Sequence, residues 1–439
     1  MDWKEYYKQR TVSAQEAAKH IKPGFKIGMG HAVMGATERI IQALADRHEE
    51  LRDVMISHSL NYSKAPFLNY PESFYNNSMF GAAHFRPAIN DGRGYSTARH
   101  FSQIPSYQRE LNLDATLMIV STPNKHGYVN VGLSIDYARN LIKSAKLSIV
   151  EANPNVPIIY GDTWVKVTDI DYFVESNDPL PVVVQGIPGE LEKKIAANIV
   201  EYINDGDCLQ LGIGGVPDAV LSFMVDKNDL GIHSEMISDG VMQLCKSGNI
   251  NGKRKNFYPN LVVFTFAAGS TELYEWMDNN PLLLGLEVEY CNDSYTISQN
   301  DNMVAINGAV CVDLMGQVSA DTIAGKNQSG VGGQVDFVRG ANMSKGGRSF
   351  ICMPSTAQGG KVSRIVPSMD SATQPVTTSY YDVDFVATEY GVAKLRGKTH
   401  TYRRDALIEI AAPEFRDWLR DEAKRLYKYV TSKTRIHNL

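Results

Sequence analysis

The stretch GDCLQLGIGGVPDAV, residues 206–220, predicts a strand that runs into a glycine turn and then into a helix. Leu209 and Leu211 alternate as they do in a strand, and Pro217 suits the first turn of a helix, where its missing N–H has no partner to lose. A second stretch, GFKIGMGHA at residues 24–32, has the same order of glycine, alternating apolar residues and glycine. Strands and helices that alternate in this way predict an α/β fold with a largely parallel sheet.

The two stretches repeat at a nearly constant distance along the chain. Gly24 and Gly206 are 182 positions apart, and Gly127 and Gly316, which each lie between apolar strands, are 189 apart. We interpret this as a divergent duplication, with one domain at residues 1–185 and another at residues 186–439. The alternative is coincidence among common strand–glycine–helix turns. Because open α/β sheets bind ligands at their strand ends, the duplication predicts a site between the two halves.

Composition narrows the class of protein. The chain has 439 residues, 43% hydrophobic and 21% charged, which favours two or more domains with large cores. A net charge of -5 gives no overall cationic surface for nucleic acid or an anionic membrane, and no apolar run reaches the roughly 18 residues of a membrane span. The five cysteines are scattered, without a CxxC pair, as expected of reduced thiols. We therefore expect a soluble, cytoplasmic protein with small-molecule partners.

Glu235 is the strongest candidate for chemistry. It lies in GIHSEMISDG, residues 231–240, between apolar neighbours that indicate a strand end or tight turn. A carboxylate is a poor nucleophile in water, but when desolvated and aimed at an activated carbonyl it can form a covalent acyl intermediate. Backbone amides of nearby glycine turns could then stabilise the oxyanion. The alternative is a solvated surface residue, which is the usual fate of a glutamate.

Two other kinds of site fit the sequence less well. Neither glycine turn continues as GxGxxG with an acidic residue about twenty positions later, and no glycine loop ends in GK[ST]. His233, Glu235 and Asp239 could be metal ligands, and HSE matches the HxE of zinc deaminases, but the PCxxC half of that signature is missing. We therefore predict neither a nucleotide cofactor nor a metal.

Several further polar residues are candidates for substrate contacts. His31 follows the first glycine turn and is either a satisfied turn histidine or a substrate donor. Gln210 lies within an apolar strand and needs a polar partner, which the substrate could supply. A third glycine loop, NQSGVGGQVDFVRGA at residues 327–341, is either a flexible lid or a loop that approaches a ligand closely.

The C-terminal part of the chain adds two charged candidates. KVSRIVPS, residues 361–368, carries Lys361 and Arg364, which could face a phosphate or could be solvated residues of an edge strand. Glu389 lies at the end of an apolar strand, where burial of a carboxylate is costly without a partner or a role.

Taken together, these segments resemble the acetyl-CoA hydrolase/transferase group of class I CoA-transferases, in the branch of the 4-hydroxybutyrate and butyryl-CoA:acetate CoA-transferases. Eight segments in the same order carry the resemblance almost from end to end, which is more specific than any single motif. They are GHA, FGAAHFRPAINDGRGYSTARHFSQIPS, DATLMIVSTPNKHGYVNVGLSIDYA, GDTWVKVTDIDYFVE, LQLGIGGVPDAV, GIHSEMISDGV, SGVGGQVDFVRGA and ATEYGVAKLRGK.

The resemblance implies two similar CoA-transferase-type α/β domains with the active site at their interface, and it implies that Glu235 is the nucleophile. The other residues that it implies are Val216, Gly332 and Gly333 as backbone donors to an oxyanion, Asn307 as an assisting amide, Gln210 and His31 near the substrate, and Glu389 close to the nucleophile. For CoA itself, we expect contacts from Gly212, Gly214, Gly215, Gly330, Lys361 and Arg364.

The resemblance also implies a ping-pong reaction between an acyl-CoA and a short-chain carboxylate such as acetate, through a glutamyl-CoA thioester. CoA is then a substrate, and no cofactor or metal is expected. Members of the group are usually homodimers or larger homo-oligomers. Two alternatives stay open, namely an acyl-CoA hydrolase on the same scaffold and a non-catalytic protein that binds CoA metabolites. The preferred acyl group, 4-hydroxybutyrate, butyrate or propionate, depends on the shape of the pocket.

Overall fold

The structure of the protein is a computed structural model, which describes residues 2–82, 84–183, 186–212, 214–370 and 372–427. The predicted boundary between domains adjoins residues 184 and 185, which lie outside the described residues, so it remains a prediction. Of the described helices, none is both long and apolar enough to cross a membrane. The five cysteines are free thiols, and four of them are buried.

The first half of the chain builds a parallel sheet with helices on both of its faces. Its strands are β1 (Lys26–Met29), β2 (Val54–His58), β3 (Phe74–Ser78), β4 (Gly94–Ser96), β5 (Ala115–Val120), β6 (Tyr128–Asn130), β7 (Ser148–Ala152), β8 (Trp164–Lys166) and β9 (Tyr172–Glu175). Its helices are α1 (Trp3–Arg10), α2 (Ala14–Ala18), α3 (Glu38–Ala45), α4 (Phe85–Asn90), α5 (Ile104–Leu111) and α6 (Ala138–Ser144), with short 3-10 turns at 33–35, 66–69, 101–103 and 167–169. Because helices cover both faces, a central strand such as β5 is buried along its whole length and reads as the continuous apolar run ATLMIV.

The second half builds another sheet and a set of small accessory sheets. Its strands are β10 (Cys208–Leu211), β11 (Gly231–His233), β12 (Met236–Ile237), β13 (Val262–Phe264), β14 (Phe266–Ala267), β15 (Leu283–Gly285), β16 (Met303–Gly308), β17 (Cys311–Asp313), β18 (Val318–Ser319), β19 (Thr322–Ile323), β20 (Lys326–Asn327), β21 (Arg348–Cys352), β22 (Thr356–Ala357), β23 (Val362–Ser363), β24 (Ile365–Val366), β25 (Phe385–Thr388) and β26 (Gly391–Lys394). Its helices are α7 (Glu190–Val200), α8 (Gly215–Ser222), α9 (Asp239–Lys246), α10 (Thr271–Met277), α11 (Val288–Cys291), α12 (Ser294–Ser298), α13 (Gln334–Met343), α14 (His400–Glu409) and α15 (Pro413–Leu426).

The two main sheets have the same winding. The strand order is β4-β3-β2-β1-β5-β7-β9 in the first sheet and β15-β13-β11-β10-β16-β21-β25-β26 in the second. All neighbouring strands in both sheets are parallel, except that β26 runs antiparallel to β25. The strands β1 and β10 begin at residues 26 and 208, which preserves the 182-residue offset of the two glycine turns. This common winding confirms the predicted pair of similar α/β domains.

In each sheet the winding reverses beside the first strand, between β1 and β5 and between β10 and β16. The chain leaves these switch points at His31 in the first half and at Gly212 in the second, and ligands of open α/β sheets bind at such points. Backbone hydrogen bonds join the halves here: the amide of Ile135 donates to the carbonyl of Thr265 (2.9 Å), and the amide of Ala267 donates to the carbonyl of Leu133 (2.8 Å). One hydrophobic core continues through both halves beneath this junction.

Candidate active site

Glu235 lies at the junction of the two halves, between the end of β11 and the start of β12. Its backbone carbonyl accepts hydrogen bonds from the amides of Thr265 (3.1 Å) and Phe266 (3.0 Å), which link β13 to β14. The residue is partly exposed, whereas His233 and Ser234 before it and Met236 and Ile237 after it are buried. The backbone therefore fixes this glutamate at the carboxyl end of the sheet, as the apolar flanks predicted.

Two neighbours hold the Glu235 carboxylate on one side. The side-chain amide of Asn292 donates to Oε2 at 2.8 Å, and Asn292 is itself fully buried at the end of α11. Gly333 packs against the same oxygen so closely that a Cβ atom at this position would collide with it. Any side chain at position 333 would therefore displace the carboxylate.

The pKa of Glu235 is raised to about 8. Burial among protein atoms is the main cause, because it penalises the charged form, and the carboxylates of Asp336 and Asp136 raise the pKa further. The hydrogen bonds from Asn292 and from the amide of Gly333 act in the opposite direction. Perturbed acids of this kind concentrate at functional sites, and a poorly solvated carboxylate is a stronger nucleophile than one in water.

His31 forms a buried pair with Asp136 at the switch point of the first sheet. Nδ1 of His31 lies 2.9 Å from Oδ2 of Asp136, and both side chains are almost completely buried. The imidazole ring also packs against Phe101, Tyr137 and Phe266, with ring centroids 4.6–5.6 Å apart. Because a carboxylate only accepts hydrogen bonds, Nδ1 of His31 is the donor in this contact.

The side-chain amides of Gln210 and Asn307 form hydrogen bonds with each other. Nε2 of Gln210 donates to Oδ1 of Asn307 (3.2 Å), and Nδ2 of Asn307 donates to Oε1 of Gln210 (2.9 Å). The pair spans the adjacent strands β10 and β16 beside Gly212, where Oδ1 of Asn307 lies in van der Waals range of a Cβ placed on that glycine. The polar partner that Gln210 requires is thus supplied by the protein.

The third glycine loop is held against the first half of the chain. The amide of Phe101 donates to the carbonyl of Gly332 at 2.9 Å, and Gly330 lies so close to the carbonyl of Met79 that a Cβ would collide with it. Gly332 has a φ of 56°, and a Cβ on it would be 3.7 Å from Oε1 of Glu235 and 3.8 Å from the ring of Phe80. The loop therefore covers the carboxylate while both domains hold it in place.

A cavity of about 280 Å³ is lined by Met236 and Ser238, which follow Glu235 in the chain. It is lined by Gly212, Gly214 and Gly215 at the start of α8, and by the carboxylates of Glu192 and Asp218. Burial raises the pKa of Asp218 to about 6, with a smaller contribution from Asp239. Among the described residues that line this cavity there is no lysine, arginine or histidine, so its electrostatic character is acidic.

The start of α8 is suited to backbone recognition. Gly214 has a φ of 135°, which is accessible to glycine and strained for other residues, and it turns the chain into the helix. Val216 follows in the first helical turn, where amide groups have no partner within the helix.

The remaining predicted residues lie apart from this cavity. Gly330 lines a second cavity of about 370 Å³ between the halves, together with Arg99 and His100. Lys361 is exposed. Arg364 lies between β23 and β24, and β24 is the edge strand of a small three-stranded sheet. Glu389 accepts hydrogen bonds from the amide (2.8 Å) and hydroxyl (2.6 Å) of Ser355, and its charge acts on Arg364. The predicted CoA contacts are therefore not gathered into one cavity.

Three residues near Glu235 were not predicted from the sequence as site residues. They are Asn292, Asp136 and Asp336. Asp136 and Asp336 lie within the segments IDYA and QVDF that carried the resemblance, which was the available signal. Asn292 ends a short helix and had no such signal. The alternative metal site finds no support in geometry, because the described residues contain no group of three or more His, Cys, Asp or Glu side chains placed to hold an ion.

Comparison with known proteins gives a family match over both halves. Residues 1–184 match the acetyl-CoA hydrolase/transferase N-terminal domain, and residues 269–423 match the C-terminal domain of the same family. The chain is 45% identical to 4-hydroxybutyrate coenzyme A transferase of Clostridium kluyveri, covering 97% of this chain and 100% of that protein. It is 35% identical to butyryl-CoA:acetate CoA-transferase of Anaerostipes caccae, covering 97% and 98% of the two chains.

A solved structure has the same fold over nearly the whole length. RipA from Yersinia pestis superimposes with a TM-score of 0.91 at 34% sequence identity, covering 97% of this chain and 99% of that one.

Proposed function

The chain belongs to the acetyl-CoA hydrolase/transferase family, and from that premise we propose that it transfers CoA between a short-chain acyl-CoA and acetate through a covalent intermediate on Glu235. The observation that carries the proposal is the Glu235 carboxylate itself, which is desolvated and held by Asn292 against a glycine loop. The identity of 45% to a 4-hydroxybutyrate coenzyme A transferase supports 4-hydroxybutyryl-CoA as the donor, and the match to a butyryl-CoA:acetate enzyme supports butyryl-CoA.

The reaction begins when an oxygen of Glu235 attacks the thioester carbonyl of the acyl-CoA. The tetrahedral oxyanion is stabilised by backbone amides, for which Val216 and the pair Gly332 and Gly333 are the candidates. Departure of the CoA thiolate leaves an acyl-glutamyl anhydride. The thiolate then attacks the glutamyl carbonyl, which releases the acid and leaves a glutamyl-CoA thioester. Acetate reverses these steps, so the kinetics are ping-pong.

The protein groups around Glu235 have supporting roles in this scheme. Asn292 orients the carboxylate by its hydrogen bond to Oε2, which leaves Oε1 as the attacking oxygen. The paired amides of Gln210 and Asn307 line the switch point of the second sheet, and His31 lines that of the first, fixed by Asp136. Groups fixed in advance lose little entropy when the substrate binds, which lowers the barrier to the chemical step.

The acidic cavity at the start of α8 suits an uncharged part of the substrate. Glu192 and Asp218 would repel the CoA diphosphate, whereas the pantetheine arm brings amide N–H and hydroxyl donors that a carboxylate accepts. Met236 lines this cavity directly beside the nucleophile in sequence, so the arm would lead toward Glu235. We therefore assign the cavity to pantetheine and place the phosphates outside it, where Lys361 and Arg364 remain candidates.

The test combines turnover with chemical trapping. The purified protein is incubated with butyryl-CoA or 4-hydroxybutyryl-CoA, with and without acetate, and acetyl-CoA formation is followed. Sodium borohydride is then added after acyl-CoA alone, because it reduces a glutamyl thioester and should abolish activity. Glu235→Gln should neither turn over nor be modified. Glu175→Gln, which changes an exposed glutamate at the end of β9, is the matched control and should behave as wild type.

Acyl-CoA hydrolysis is the competing activity, and the family description includes it. It predicts that acyl-CoA is consumed as fast without acetate as with it. That result would replace the transferase proposal with a hydrolase, while full activity of Glu235→Gln would remove Glu235 from either scheme. No cofactor is expected in any of these reactions, and a homodimer or higher homo-oligomer in the cytoplasm remains our prediction.

A further inference from the structure

A second acid lies behind Glu235. Asp336, in the first turn of α13, is buried, and its carboxylate accepts hydrogen bonds from the amide (3.3 Å) and the hydroxyl (2.9 Å) of Ser102. The side chain of Asn292 interacts with the carboxylates of both Asp336 and Glu235. The buried side-chain amide of Asn292 therefore bridges the carboxylates of Glu235 and Asp336. Ser102, which belongs to the first domain, holds Asp336 by its hydrogen bonds.

Asp336 is ionised above about pH 6, although its burial penalises the charge. Burial raises the pKa of Asp336 to about 6, and the two hydrogen bonds from Ser102 and the nearby Arg339 oppose that rise. Glu235 itself faces three other titratable groups, the carboxylates of Asp336 and Asp136 and the thiol of Cys291. Once Glu235 is ionised, its poorly solvated negative charge is repelled by the carboxylates of Asp336 and Asp136.

This arrangement has a chemical consequence, if Glu235 is the nucleophile as proposed above. In the overall half-reaction, the carbon–sulfur bond of the acyl-CoA breaks and a carbon–sulfur bond to the Glu235 carbonyl forms. One oxygen of Glu235 leaves with the acyl group as a free carboxylate. The negative charge of Glu235 thus passes to the released acid and into solvent, and the glutamyl-CoA that remains is neutral at this position.

We propose that Asp336 is a positioning residue that drives Glu235 toward its covalent state, because formation of glutamyl-CoA relieves the repulsion between the two carboxylates. Asp336 touches no substrate in this role. It holds Asn292 and, through its charge, makes the free carboxylate less stable than the thioester. Ser102 makes the effect depend on both domains, since it fixes Asp336 from the opposite side.

The test measures an equilibrium instead of a rate. The protein is mixed with butyryl-CoA and butyrate at fixed concentrations, and the fraction of glutamyl-CoA is determined by intact-protein mass spectrometry. At about pH 9, where Glu235 is ionised, the ratio of glutamyl-CoA to free enzyme should be about tenfold lower in Asp336→Asn than in wild type, because loss of a neighbouring charge stabilises the free carboxylate. At about pH 6 the free enzyme is protonated at Glu235 in both proteins, so the difference should shrink.

Two further variants separate charge from structure. Asp336→Glu keeps the charge and should restore the wild-type fraction. Ser106→Ala is the matched control, because the exposed Ser106 hydroxyl donates to the carbonyl of Gln103 and does not touch Asp336. Equal fractions in wild type and Asp336→Asn at about pH 9 would overturn the inference.

The outcomes also distinguish this inference from the proposed function. If the wild type forms no glutamyl-CoA at any pH, the covalent mechanism fails. In the wild type, the glutamyl-CoA fraction should also rise from about pH 6 to about pH 8 as Glu235 ionises. A constant fraction over that range would contradict a nucleophile destabilised by its neighbours.

Discussion

The second strands of the two sheets, β2 and β11, occupy equivalent places in one winding but end in different chemistry. After β11 the chain presents Glu235, a carboxylate with a raised pKa. After β2 it presents Asn61, whose fully buried amide donates to the carbonyls of Gly30 (3.3 Å) and Gly35 (3.2 Å). The Glu235 carboxylate accepts one side-chain hydrogen bond, from Asn292, whereas the Asn61 amide fastens the glycine turn that carries His31. Under the proposed function, the first half would support the site and the second half would supply the nucleophile.

The largest expected effect comes from the reactive strand end. Glu235→Gln keeps the shape of the side chain but removes the nucleophile, so we expect CoA transfer to fall by at least about 10³-fold. Steady-state rates with butyryl-CoA and acetate measure this, and the variant should unfold at or above the wild-type temperature because a desolvated carboxylate is lost. Residual transfer within about tenfold of wild type would show that the strand end is not the reacting one.

A methyl group on the covering loop should have the next largest effect. A Cβ on Gly333 would collide with Oε2 of Glu235, so Gly333→Ala should lower kcat by about 10²-fold through misplacement of the nucleophile. Gly332→Ala is the control, because its Cβ would remain 3.7 Å from Oε1, although its positive φ makes the change mildly strained. Because Gly333 has a φ of -95°, only Gly332→Ala carries backbone strain, and equal losses in both variants would mean that the contact of position 333 with Oε2 of Glu235 has no special effect.

Loss of the amide that holds the carboxylate should change the pH profile. The hydrogen bond from Asn292 lowers the pKa of Glu235, so Asn292→Ala should raise that pKa and move the acidic limb of the kcat/KM profile to higher pH. At neutral pH we expect a loss of about 10- to 100-fold. A limb that stays in place while kcat falls at every pH would assign Asn292 to orientation alone.

The smallest effect on chemistry is expected in the supporting half. Asn61→Ala removes three hydrogen bonds of a buried side chain, the two that it donates to Gly30 and Gly35 and the one that it accepts from the amide of Ser63, which should cost about 1–3 kcal/mol of unfolding free energy. Denaturant unfolding measures this, and borohydride trapping at Glu235 should still occur. An Asn61→Ala variant that is fully stable but cannot be trapped would break the division between a supporting and a reacting half.

The sequence was informative where the pattern is local or repeated. The glycine turns at residues 24–32 and 206–220 predicted both the α/β class and the pairing of two similar sheets, because strand–turn–helix patterns depend on nearby residues. The position of Glu235 at a strand end was predictable from its apolar flanks for the same reason. The common 182-residue offset then carried over into the matching starts of β1 and β10.

The partners of Glu235 could not be predicted, because they come from distant parts of the chain. Asn292 is 57 residues away and Asp336 about a hundred, and only tertiary packing brings them together with Glu235. Gln210 and Asn307 were each chosen as substrate contacts, yet the fact that they pair with each other depends on the register of β10 against β16. The positions of Lys361 and Arg364 in the sequence also could not show that these residues lie away from the acidic cavity.

Thr265 connects the two halves of the molecule through its backbone hydrogen bonds. Its amide donates to the carbonyl of Glu235, and its own carbonyl accepts from Ile135 and Asp136, so one residue positions carboxylates that belong to different domains. For protein engineering this makes residues 264–267 a segment that tolerates no insertion or deletion, since a slip of one residue, about 3.3 Å, would displace both acids at once. It also predicts that the two halves, if expressed as separate polypeptides, would regain a complete site only after they reassociate along this segment.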